Sequence, residues 1–478
     1  MDKNTELILG YFKQISAIPR CSGNEVELCA WLQHWATEHG LVSNQDAGGN
    51  LVIRVPGKNG GEHSAPIVIQ GHMDMVCERS ARSAHDFSKD PIQNIVEGDW
   101  MRADETTLGS DNGIAIAFAM ALAADKTIQH PPLELLFTVK EEVGLSGVND
   151  LKPGFIQGKT LINIDSELEG TYVVGCAGGE TTHINLPVHT LPAADLAAIE
   201  ICVEGCRGGH SGVDIDKNFA NANKLLARIL WKINQQSPLR ISAISGGTAH
   251  NAISREAKAT VLVADSAIDS ATVIAQTFGS TFRAEHGSVE PDLTVRVTRV
   301  AASTTALASN DSARVIHLLN SLPHGVMNMS YDIAGFVETS NNLANISLIG
   351  DNFKVITSQR STSMSRLAEI TSRIYSIGQQ AGGVVTTESS YPSWKPNMAS
   401  PILSVLGKSY QTLFGTEAKI ESIHAGLECS TIGDIYPGID MISIGVTIEN
   451  PHSPTERMYL PSVPRVWRLL TLSLEQLC

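Results

Sequence analysis

The stretch VIQGHMDMV, Val68–Val76, decides how the rest of the chain is read. It opens as an apolar run suited to a buried strand and then ends on His72 and Asp74, two residues apart. Other short runs share the apolar half of that pattern: NLVIRV (50–55), LELLFTV (133–139), TLINID (160–165) and TYVVG (171–175). Runs that are apolar throughout, rather than alternating, suit strands covered on both faces. Two helical patterns precede them, NTELILGYFKQISAI (4–18) and NEVELCAWLQHWATEHG (24–40), with apolar residues at three- and four-residue steps. An alanine-rich apolar segment between them, NGIAIAFAMALAAD (112–125), reads as a buried helix. Strands interleaved with helices predict an α/β fold, a sheet with helices on both faces.

The middle of the chain changes character. AIEICVEG (198–205), ATVLVAD (259–265), DLTVRVTRV (292–300), ANISLIG (344–350) and FKVITSQR (353–360) read as strands. Residues 218–236, 271–287 and 362–382 read as helices. This is an α+β domain that interrupts the first one. The tail, with SPILSVLGKSYQTLFG (400–415), AKIESIHAG (418–426) and DMISIGV (440–446), returns to helix–strand units that complete the first sheet. The expected division is 1–180, 181–390 and 391–478, the first and last segments forming one domain.

Composition sets the class. The chain has 478 residues, 42% hydrophobic and 18% charged, enough for large cores and too apolar for disorder. A formal charge of -15 argues against a nucleic-acid partner, which would favour a basic stripe. The cysteines at 21, 29, 77, 176, 202, 206, 429 and 478 form no Cys-x-x-Cys pair and suggest no disulfide framework, so scattered thiols in a reducing compartment are expected. The amino terminus, MDKNTELILGYFKQ, lacks the apolar core of a signal peptide, and no run reaches membrane-spanning length. A cytoplasmic protein with no membrane partner is the expectation.

Five stretches place metal-competent residues directly after apolar runs: QGHMD (His72, Asp74), GSDNG (Asp111), KEEVG (Glu141, Glu142), NIDSE (Asp165) and NPHSPTE (His452). Each has an ordinary explanation alone. Asp111 could cap the helix that follows it, paired glutamates are usually solvated, and HSP is a common loop. Together they are harder to explain, because histidines and carboxylates flanking an apolar sheet are costly to bury without a cation. In open α/β sheets such groups converge at the carboxyl ends of the strands. Imidazole nitrogen and carboxylate oxygen suit zinc, cobalt or manganese. Two such cations, about 3.5–4 Å apart, need a bridging carboxylate. A water between them ionises near neutral pH, and a further carboxylate must carry its proton.

The five motifs, in this order, resemble the M20 family of co-catalytic metallopeptidases, and within it the dipeptidase branch that includes the aminoacyl-histidine dipeptidases. The likeness implies a zinc-peptidase-like catalytic domain of mixed sheet, interrupted by a lid and dimerisation domain. It implies that His72 and Asp165 hold one metal, that Glu142 and His452 hold the other, and that Asp111 bridges them. It also implies a cis peptide after Asp111, Asp74 orienting His72, and Glu141 as general base. In the inserted domain it points to His210 of CRGGHSGVDI as the oxyanion donor, often reaching across from a partner subunit. Asn251 of GGTAHNAISREA would contact substrate, and Arg360 of VITSQRSTS, with Arg366 as the alternative, would grip the substrate carboxylate. HAGLECSTIG (424–433) points to the dipeptidases rather than the deacylases, with Glu428 pairing with a free amino group. Ser430 stands where relatives are expected to carry glycine. The implied activity is hydrolysis of unblocked dipeptides, Xaa-His and β-alanyl-histidine (carnosine) among them, by a homodimer whose lid closes on the substrate. The rival readings are an N-acyl amino acid deacylase on the same scaffold and a catalytically dead peptide-binding protein.

Overall fold

The computed structural model describes residues 2–331 and 333–478. The chain forms two compact units. The first comprises the chain up to Cys176 together with Trp394–Ser422 and Leu427–Cys478, and the second comprises Ala177–Ser393 and Ile423–Gly426. The crossings therefore lie at 176/177 and 393/394, against 180 and 390 read from the sequence. The chain leaves and returns at one place: Cys176 and Trp394 exchange both main-chain hydrogen bonds, at 2.8 and 3.0 Å. Residues 423–426 pack with the inserted unit although the sequence around them reads as tail.

The first unit is built on an eight-stranded sheet. Its centre is a parallel set, in the order Leu133–Thr138, Ile67–His72, Thr160–Asn163 and Asp440–Ser443. The first two of these strands are buried at every position, as continuous apolar runs require. Register aligns their ends: His72 lies opposite Thr138, Gln70 opposite Asn163, and Asn163 opposite Ser443. The loops that follow, carrying Asp74, Glu141, Glu142 and Asp165, thus leave from one edge of the sheet. The helix Ser110–Ala124 is apolar around its whole circumference and correspondingly buried. It approaches the central strand closely because residue 71 is glycine; a Cβ there would sit 2.4 Å from Asn112 Oδ1 and 2.6 Å from Ala115 Cβ.

The second unit has an antiparallel sheet running from Thr294–Val300 at one edge to Val384–Tyr391 at the other, with its own apolar core. The helices Ala222–Gln236, Ile268–His286, Ser309–Ser321 and Met364–Gln380 belong to that core. Three of these four helices, and the five strands read from the sequence, lie where the pattern placed them. Ser309–Ser321 and the strands Gly178–Pro187, Arg240–Gly246 and Val384–Tyr391 were not read, because their polar residues dilute the apolar signal.

One expectation is corrected. Cys21 and Cys77 form a disulfide across a sequence separation of 56, while the other six cysteines are free. The pair meets because the segment around Cys21 runs parallel to the loop after His72, with Met75 N donating to Arg20 O at 3.1 Å. Spacing in the sequence carries no trace of that contact, and the argument from scattered thiols to a reducing compartment loses its basis. No helix among the described residues is long and apolar enough to cross a membrane.

Candidate active site

His72 ends the central strand and is 1% exposed. Its Nδ1 lies 3.1 Å from the main-chain oxygen of Asp74 and 3.4 Å from Asp74 Oδ1. Both are acceptors, so Nδ1 carries a hydrogen, and Nε2 is left as the nitrogen a cation would take in place of a proton. That Nε2 faces Asp111 Oδ1 at 3.1 Å and Asp165 Oδ1 at 3.4 Å. On the other side of Asp111, Oδ2 lies 3.0 Å from His452 Nε2, which is also 3.0 Å from Glu142 Oε2. Asp111 therefore presents one oxygen to each histidine. Its peptide bond to Asn112 is cis, and His452 occupies the left-handed region at φ 58. Asn112 ties the ends together, accepting from His72 N at 3.1 Å and donating to Ile164 O at 2.7 Å.

Ligand-type atoms of His72, Asp111 and Asp165 all lie within 4.8 Å of one another, and so do those of Asp111, Glu142 and His452. A third such group joins His72, Glu141 and Glu142. In the protein alone this crowding is unfavourable. Asp111 and Glu142 would hold His452 protonated up to about 11, and the buried oxygens Glu142 Oε1 and Asp165 Oδ1 have no hydrogen-bond partner. Cations in place of protons would satisfy both imidazoles and these oxygens, and the nitrogen and oxygen donor set suits divalent zinc, cobalt or manganese. The residues fit a pair of such ions.

Glu141 sits beside this cluster, and among the described residues none donates a hydrogen bond to its carboxylate. Burial pushes that carboxyl well above its ordinary value; His72 opposes the shift, and Asp165, Glu142 and Glu428 add to it. Asp74 holds the turn that carries both glutamates: Oδ1 accepts from Glu141 N at 3.0 Å, and Oδ2 accepts from Glu142 N at 3.2 Å and Ser22 Oγ at 2.7 Å. Against the cost of burial, His72, Ser22 and the Glu141 amide hold its carboxyl down at about 2. Asp74 thus links the first histidine to the glutamate pair.

Glu428 is fully buried. Its Oε2 accepts from Gln70 Nε2 at 2.7 Å and Thr138 Oγ1 at 2.6 Å, and its Oε1 has no partner. Gln70 is held in turn by Asn163 Nδ2 at 2.6 Å. Burial raises the Glu428 carboxyl to about 7. Gln70, Ser22 and Asn163 were missed as parts of the site; the first and last stand inside quoted motifs, whereas Ser22 has no sequence signal.

His210, Asn251 and Arg360 belong to the second unit. His210 Nδ1 accepts from the amides of Gly212 (3.3 Å) and Val213 (3.2 Å), which leaves Nε2 as the hydrogen-bearing nitrogen. Burial, and then the charge of Arg360, lower this histidine to about 4. Arg360 is 7% exposed and donates from Nη1 to Tyr391 Oη at 3.0 Å, while its Nε is unpartnered. Arg366, the alternative, is paired with Glu338 at 2.8 Å. Asn251 is exposed on the loop beside His210.

Comparison with known proteins identifies the family. The pattern of peptidase family M20/M25/M40 matches residues 68–476. A cytosol non-specific dipeptidase of Escherichia coli (strain K12) is 38% identical over 468 residues, 98% of this chain and 96% of that protein. The crystal structure of an aminoacylhistidine dipeptidase from Vibrio alginolyticus is 35% identical, with a TM-score of 0.92 over 99% of this chain and 98% of that one. An aminopeptidase PepT from Bacillus cereus ATCC 10987, 16% identical with a TM-score of 0.58 over 99% of this chain and 98% of that one, shares the fold alone. With all five motifs gathered at one sheet edge and the family pattern spanning most of the sequence, the chain belongs to peptidase family M20/M25/M40.

Proposed function

We propose that the protein is a di-metal dipeptidase that hydrolyses unblocked dipeptides, with Xaa-His substrates, β-alanyl-histidine among them, preferred. The observation that carries the reading is the pair of ligand triads sharing Asp111, with Glu141 beside them. Full-length likeness to a cytosol non-specific dipeptidase and an aminoacylhistidine dipeptidase supports the substrate class.

His72, Asp111 and Asp165 would hold one cation, and Asp111, Glu142 and His452 the other, zinc before cobalt or manganese. When bound, such a pair supplies Lewis acidity and brings the pKa of water toward neutrality. Glu141 accepts the proton of the attacking water and returns it to the leaving amine; its unengaged carboxylate suits a group that must pick up and release protons. Asp74 keeps Glu141 and Glu142 in register with His72 through their amides. The Nε2–H of His210 donates to the developing oxyanion. The Arg360 guanidinium pairs with the substrate carboxylate, and Asn251 contacts the substrate. Glu428 Oε1, the free oxygen of a held carboxylate, takes the substrate ammonium. Homodimerisation through the second unit belongs to the same proposal and is read by light scattering.

The test is a panel of free dipeptides, with N-acetylated counterparts, presented to purified protein loaded in turn with each cation. Cleavage of free dipeptides, fastest with carboxyl-terminal histidine, is the expected result. Activity confined to N-acyl amino acids would move the assignment to the deacylases, and binding without cleavage to a peptide-binding protein.

A further inference from the structure

Arg20 and Glu456 are opposite charges, each 2% exposed, that take no part in the chemistry above. The Glu456 carboxylate is surrounded by donors. Oε2 accepts from Leu108 N at 2.8 Å and Gly109 N at 3.0 Å, and Oε1 accepts from Ser110 N at 2.8 Å and Ser110 Oγ at 2.5 Å. These are the amides that open the helix Ser110–Ala124. That helix has no cap of its own, since Gly109, at φ 67, has no side chain to supply one. A residue 346 positions later than Ser110 supplies it instead. Asp111 is the second residue of this capped turn.

Arg20 works from the other side. Nη1 donates to Met73 O at 3.0 Å and Asp74 O at 2.9 Å, and Nη2 donates to Gly109 O at 2.5 Å. Asp74 O is also the atom that receives the Nδ1 hydrogen of His72. The guanidinium has a built seat: a Cβ on Gly109 or Gly113 would stand 2.6 Å from Nη2. One buried pair of charges therefore holds three loops that meet at the site, 73–75, 108–111 and 450–456.

We propose that Arg20 and Glu456 are positioning residues that set the mutual geometry of His72 and Asp111, Glu456 through the amides of 108–110 and Arg20 through the carbonyls of Met73, Asp74 and Gly109. The need is physical. Asp111 must offer one oxygen to each side, and two cations repel one another, so the backbone that presents the shared carboxylate must resist being pushed aside. A charged clamp on main-chain groups gives that stiffness, because hydrogen bonds with one ionised partner are the strong ones and each charge is tolerated in the interior by the main-chain groups bonded to it. The inference rests on the di-metal reading.

The experiment compares Glu456→Gln, Arg20→Lys and Ser110→Ala with the wild type, by chelator-competition titration of zinc, by kcat and KM on a free dipeptide at saturating zinc, and by thermal unfolding of the zinc-free proteins. Glu456→Gln and Arg20→Lys are expected to weaken zinc binding by about 10–100-fold and to lower saturated kcat with little change in KM. Ser110→Ala, which keeps the carboxylate and deletes one donor, is expected to show a smaller loss of the same sign, and it carries the test should either charge variant fail to fold. Lower thermal stability with wild-type zinc affinity and wild-type kcat would overturn the inference. A wild type that binds two zinc ions but cleaves no dipeptide sinks the functional reading alone, whereas one that binds none sinks both.

Discussion

Glu141 and Glu142 are neighbours in sequence with different surroundings. Glu142 Oε2 is 3.0 Å from His452, while Glu141 is held through its main chain, its amide on Asp74 and its carbonyl on Leu145 N. Glu141→Gln is therefore expected to keep both cations and to lose about 10²–10⁴-fold in kcat. Asp111→Ala, lacking the oxygens between the two histidines, is expected to lose the cations as well. Elemental analysis beside dipeptide kinetics separates the two variants, and metal-free Glu141→Gln would refute the proton-carrier role. A second residue-scale expectation concerns His424, which is 6% exposed with Nε2 on Ser340 Oγ at 2.7 Å. Burial, and then Arg360, lower its pKa from 6.5 to about 3. The unfolded chain binds this proton below about pH 6.5 and the folded chain does not, so its effect is absent above that pH and stability falls as pH drops toward 3. His424→Gln should flatten the acid limb by about 1.4 kcal/mol per pH unit at most, read from denaturant unfolding at stepped pH. An unchanged slope would mean that the imidazole finds a way to ionise in place.

Among the elements, the parallel strands Leu133–Thr138, Ile67–His72 and Thr160–Asn163 act as one frame, because their register puts the loops bearing Asp74, the glutamate pair and Asp165 at one edge. The helix Ser110–Ala124 must dock against that frame closely enough for Asn112 to receive the His72 amide. Gly71 makes the approach possible, and a methyl group there meets both Asn112 and Ala115. Gly71→Ala is expected to cost about 1–3 kcal/mol through overpacking and to weaken metal binding by displacing Asp111. Equilibrium unfolding and zinc titration of the same variant test this; lost stability with unaltered zinc affinity would show that the helix can shift without moving the ligand. The strands and the apolar helix of this frame were legible because burial on both faces leaves an uninterrupted apolar run. The polar strand Gly178–Pro187 was not, since two glycines followed by Glu180, Thr181, Thr182 and His183 resemble a loop.

At the scale of the whole molecule, each unit has its own apolar core, and every proposed cation ligand belongs to the first. Metal removal is expected to lower the unfolding transition of the first unit and leave that of the second in place. With free metal at about 100 times its dissociation constant, the difference is about 2.7 kcal/mol per site. Scanning calorimetry with and without chelator checks this, and a single transition moving as a whole would show that the units unfold together. By itself the sequence determined the α/β class, the insertion of a second domain, the five motifs and their order, because apolar periodicity and residue chemistry are local properties. Tertiary structure alone decided that Asp74 secures the glutamate turn, that Cys21 meets Cys77, and that Arg20 and Glu456 clamp the loops. The physical reason is that these contacts join segments far apart along the chain, often through main-chain amides and carbonyls that every residue carries, so no residue type announces them until the path of the backbone is known.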